Sequence, residues 1–155
     1  MSTMRRRPYV TTRTHEVFAI AHDLADRLGH DDVTPVHVSI ALVREGRSIA
    51  AFILHSHGVQ LDAFERELEA HLPPAAEPRV PTHERSWTRN DERILELAKV
   101  EARELGNEFF SCEHVLLSFL RDPTSMTAQL RALHGLRYDD ARAVVLRVYN
   151  AAPED

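Results

Sequence analysis

Apolar and polar positions follow one arrangement twice along this chain. Val17, Ile20, Ala21, Leu24 and Leu28 recur at i, i+3, i+4, i+7 and i+11, one face of a helix that Thr11 or Thr12 can cap. Gly29 follows the run and suits a helix stop, because it accepts positive φ without steric cost. Thr34-Pro35 then offers an N-cap followed by proline at the first helical position, where its missing N–H costs nothing. Val38, Ile40, Ala41, Leu42 and Val43 predict a short helix apolar nearly all round, hence buried. Ser48 opens a third helix with Ile49, Phe52 and Ile53, and Gly58 ends it. Leu61, Phe64, Leu68 and Leu72 predict a fourth, with Asp62 and Glu65 in its first turn.

Residues 73–86 interrupt this programme with Pro73, Pro74, Pro78 and Pro81 and no apolar period, so they read as a semi-rigid linker. After Trp87-Thr88 the programme restarts. Ile94, Leu97, Ala98 and Leu105 mark a fifth helix and Val115, Leu116, Leu117, Phe119 and Leu120 a sixth. Met126, Leu130 and Leu133 mark a seventh, and Tyr138, Ala141, Val144, Val145, Val148 and Tyr149 an eighth.

The two runs align without a gap at an offset of 77, since 106 − 29 = 77 and 114 − 37 = 77. Ala21, Ala25, Leu28, Gly29, His37, Val38, Arg44, Ser48, Ala51, His57, Gly58 and Asp62 recur at that offset, ending at Ala128, His134, Gly135 and Asp139. Matching glycines and histidines at matching structural positions indicate an internal duplication, and two copies make a compact pair rather than a solenoid. The predicted fold is all-α: eight helices in two pseudo-twofold four-helix repeats. Its parts are a lead-in (1–10), repeat one (11–72), linker (73–86), repeat two (87–150) and tail (151–155), forming a single compact domain.

Composition narrows the functional classes. A net charge of −5 argues against a nucleic-acid face, and Arg5-Arg6-Arg7 alone does not make one. The single cysteine excludes an intrachain disulfide and suits a reducing compartment. No apolar run of about 20 residues and no signal-peptide core occur, so a soluble cytoplasmic protein without membrane contact is expected. The five glycines are isolated, which leaves no phosphate-binding loop of the ATPase type.

The motifs themselves resemble a known family. Ala102-Arg103-Glu104-Leu105-Gly106, then Glu113-His114-Val115-Leu116-Leu117, is similar to the Clp N-terminal repeat domain found in ClpA-, ClpB- and ClpC-type Hsp100 ATPases. So is Leu28-Gly29-His30 followed by His37, Val43-Arg44-Glu45-Gly46 and Leu54…Gly58-Val59. The resemblance implies a non-catalytic module, free-standing here, that needs no cofactor. Its partners would be substrates, adaptors or peptide ligands of a Clp ATPase, in support of the machine or in competition with it. A regulatory subunit docking on the ATPase or peptidase is the alternative.

In ClpC-type relatives the resemblance further implies binding of phosphorylated arginine through the Glu of each Thr-Glu-His motif. Here the second repeat keeps it as Glu113, preceded by Ser111 and Cys112, and the first has Val36 instead. A carboxylate accepts a guanidinium in a bidentate manner, while helix-terminal N–H groups and the Ser111 hydroxyl suit a phosphate. Glu113 reads equally as a carboxylate favouring its own helix N-terminus. His37 and His114, like Gly29 and Gly106, read as repeat-defining structural positions, the histidines capping or filling the core. Cys112 reads as a small packed residue or a ligand neighbour. Trp87 either anchors a peptide or fills the seam between repeats. The histidines offer no ligand set for a metal.

Overall fold

The computed structural model describes residues 9–80, 87–122, 124, 125, 128 and 134–151. Among them are seven helices: α1 (Thr12–Arg27), α2 (Pro35–Glu45), α3 (Ile49–Ser56), α4 (Leu61–Ala70), α5 (Arg89–Glu104), α6 (Cys112–Arg121) and α7 (Tyr138–Ala151). The predicted helix through Met126, Leu130 and Leu133 lies outside the described residues. Ser125 Oγ accepts from Ala128 N–H at 3.2 Å, as Ser48 Oγ accepts from Ala51 N–H at 3.1 Å at the equivalent position of the first repeat.

The offset read from the sequence governs the backbone. Helix starts differ by 89 − 12 = 77, 112 − 35 = 77 and 138 − 61 = 77. Thr11 and Thr88 cap the first helix of each repeat, and Thr34 and Ser111 the second. After α1, Gly29 N–H reaches Asp26 O and His30 N–H reaches Ala25 O; after α5, Gly106 N–H reaches Arg103 O and Asn107 N–H reaches Ala102 O. Both are Schellman closures with the glycine at φ 69° and 75°.

One continuous apolar core joins the repeats. Phe18, Ile40, Leu42, Ile53, Leu54, Phe64 and Leu68 fill the first and Leu116, Leu117 and Leu136 the second, all fully buried. α6 is the central element: it packs on α5 and α7 of its own repeat and on α1, α2 and α3 of the other. Polar contacts stitch the seam. Phe110 N–H donates to Tyr9 O at 2.7 Å and Thr11 N–H to Phe110 O at 3.1 Å, forming an isolated parallel bridge between Val10 and Phe110. His22 Nε2 and Asp91 Oδ2 meet at 2.6 Å in the interior.

The linker is not a detached spacer over the part described. Ala76 N–H donates to Leu28 O at 2.8 Å, and Arg79 N–H to Asp26 O at 2.7 Å, which also accepts from Gly29 N–H, so the linker closes onto the C-terminal end of α1. Arg79 also pairs with Asp31. A Cβ on Gly29 would sit 2.3 Å from Glu77 O, so the glycine serves the docked linker as well as the turn. Gly106 faces open space.

Candidate functional site

The sequence pointed to the start of α6, and the structure shows how those side chains are engaged. His114 is 1% exposed, and its Nδ1 accepts from the Ser111 N–H at 2.9 Å. That bond fixes the proton on Nε2, which donates to Asn107 Oδ1 at 2.9 Å. Burial pushes His114 below its ordinary value, against the pull of Glu113. In the first repeat His37 Nδ1 accepts from Thr34 N–H at 2.9 Å and Nε2 meets His30 Nδ1 at 3.0 Å, while His30 Nε2 meets Pro73 O at 3.0 Å. Both histidines thus act as the third residue of a capping box, the place glutamate often holds.

Glu113 is 4% exposed, and its Oε2 accepts the Tyr149 hydroxyl at 2.6 Å. Burial, then the adjacent Glu113, push the Tyr149 phenol far above its ordinary range. The positions 77 residues earlier are Val36 and Leu72, so an apolar pair in one repeat answers a carboxylate–phenol pair in the other. Cys112 is buried, its Sγ 3.4 Å from Thr14 Oγ1 across the seam, and burial lifts its thiol to about 11. Such a thiol is a poor nucleophile at neutral pH. Trp87 packs its ring on Phe18 at 5.4 Å and on His15 at 5.7 Å between centroids, filling the seam. Ser111 is half-buried beside this group. No cluster of three metal-ligating side chains and no helix able to cross a membrane occur among the described residues.

Among the described residues, an open concave surface lies along the outer face of α5. A groove of about 800 Å³ runs between α5, the α5–α6 connector and the segment before α1. Leu95 and Val10 contribute apolar wall, Phe110 and Tyr9 aromatic wall, and Tyr9 is 61% exposed at the lip. Glu92, Glu96, Lys99 and Arg103 line it at i, i+4, i+7 and i+11, one stripe of α5. A smaller depression of about 450 Å³ beside Ile94, Leu97 and Phe119 lies on another face of α5. Sequence reasoning passed over the groove because a charged helical stripe reads as ordinary solvated surface. No local sequence signal marked it, because Tyr9 supplies the opposite wall only through the Val10–Phe110 bridge across the seam.

The comparisons place these features. The Clp repeat (R) N-terminal domain pattern matches residues 9–133. The chaperone protein ClpB of Oceanobacillus iheyensis is 32% identical over 138 residues, covering 89% of this chain and 17% of the relative. The negative regulator of genetic competence ClpC/MecB of Bacillus subtilis matches with the same identity and coverage. This chain therefore spans about a sixth of the length of those curated relatives. The N-domain of ClpV from Vibrio cholerae superimposes with a TM-score of 0.74 at 14% identity, over 100% of this chain and 96% of that one.

Proposed function

The chain belongs to the Clp repeat N-terminal domain family, and from that premise we propose that it is a non-catalytic module holding extended segments of substrate or adaptor proteins in the α5 groove. Clp N-domains are substrate- and adaptor-binding modules of Clp ATPases. The observation that carries the reading for this chain is the groove itself: apolar floor, aromatic lip and charged rim, open to solvent along its length. Such a surface suits a chain segment lying across it, with an aromatic residue as anchor. The side chains at the start of α6 support a non-catalytic role, since the thiol is buried and the His114 nitrogens are bonded to Ser111 and Asn107. The module acts in support of a Clp ATPase or competes with its N-domain for the same segments.

Phosphoarginine capture at Glu113 would have to accommodate the Tyr149 hydroxyl, which already donates to one of the two carboxylate oxygens, Oε2. Calorimetric titration with reduced, carboxymethylated lactalbumin, a permanently unfolded protein, tests the groove reading. The chain binds it, and Tyr9→Ala weakens binding roughly fivefold to tenfold with an unchanged melting curve. Unaltered affinity in Tyr9→Ala removes the groove from the reading.

A further inference from the structure

The groove's charges are sorted rather than mixed. Its stripe on α5 begins with Glu92 and Glu96 and continues with Lys99 and Arg103. Among the described residues, none of Glu96, Lys99 and Arg103 belongs to an ion pair. Other arginines of the chain are engaged: Arg44 with Glu65 and Glu69, Arg121 with Glu101 and Glu104. Glu108 lies past the basic pair on the connector.

The midpoints of the acidic and basic pairs are seven residues apart, about 10 Å along the axis at ~1.5 Å per residue. An extended chain covers that distance in about three residues at ~3.3 Å each. Leu95, nearly buried in the groove floor, stands within the acidic pair, between Glu92 and Glu96. Resting on the groove reading above, we infer that this site selects extended peptide segments carrying a basic and an acidic side chain about three residues apart, with an apolar side chain next to the basic one. The ligand's basic group lies over Glu92 and Glu96, its acidic group over Lys99 and Arg103, and its apolar group on Leu95. A polyanion such as nucleic acid is opposed by Glu92, Glu96 and Glu108, and a uniformly basic segment by Lys99 and Arg103.

The test uses four capped hexapeptides with leucine next to the first of two variable positions three residues apart: lysine and glutamate, two lysines, two glutamates, or two glutamines. Titrated at low ionic strength, the lysine–glutamate peptide binds about threefold to tenfold tighter than the other three, and the gap closes at high salt. Lys99→Glu with Arg103→Glu shifts the preference to two lysines, and Glu92→Lys with Glu96→Lys shifts it to two glutamates. These side chains are at the groove surface, and circular dichroism melts confirm the fold of each variant. Equal affinity for all four peptides, or a preference unmoved by the variants, overturns the inference. It also falls if none binds while carboxymethylated lactalbumin still depends on Tyr9; the groove reading then stands. Failure of both probes ends the two together.

Discussion

Glu113 and Tyr149 show how far a single pair of side chains can drift between duplicated halves. A buried carboxylate needs donors, and Tyr149 supplies one at 2.6 Å from the far helix of the repeat. Tyr149→Phe removes that donor and leaves the carboxylate under-satisfied, so urea denaturation shows a loss of about 1–3 kcal/mol. Glu113→Val combined with Tyr149→Leu installs the first repeat's pair, and its cost is smaller than the sum of the single changes. An additive cycle contradicts the coupling. His114 adds a pH dependence of defined sign. Its folded value lies below the ordinary 6.5, chiefly through burial, so the unfolded chain binds the proton more readily. The contribution is fully present above pH 6.5 and is lost as pH falls toward the folded value. His114 monitored by NMR titrates below 6.5, and stability measured across that window falls with acid. A folded value at or above 6.5 refutes this.

At the scale of elements, the same glycine turn does two jobs in one repeat and one in the other. Gly29 and Gly106 share the left-handed conformation, but only Gly29 lies against the linker, with Glu77 O where a Cβ would project. Gly106→Ala costs about 1–2 kcal/mol for the backbone alone. Gly29→Ala costs more, because the linker must also move. Limited proteolysis of residues 73–80 accelerates in Gly29→Ala and not in Gly106→Ala. Equal protection in both would show that the docked linker does not depend on that glycine. The turn and the helix starts were legible in the sequence, since capping residues, Pro35 and the two glycines act within a few residues of themselves. The docking of residues 76–79 on α1 was not, because prolines announce an irregular backbone without saying what it touches.

Across the whole molecule, duplication explains both the symmetry of the core and the asymmetry of the surface. Ungapped identities at an offset of 77 made the paired architecture readable before any coordinate, as they specify which positions must be apolar or capped in both copies. Glu113 was legible as a residue but not as a buried one, since Tyr149 reaches it from 36 positions away. The groove was hidden for a related reason: its wall combines α5 with Tyr9 and Val10, contacts made only across the seam. The second repeat supplies the charged stripe, the first repeat's entry segment supplies the lip, and the proposed recognition surface belongs to the pair.

Amide chemical-shift mapping with carboxymethylated lactalbumin tests this most directly. Recognition by the fused pair predicts perturbations concentrated on Leu95, Glu96, Lys99, Arg103 and Phe110, with the Tyr149–Glu113 contact intact. Perturbations centred on Ser111, Glu113 and Tyr149, with α5 unmoved, would contradict it.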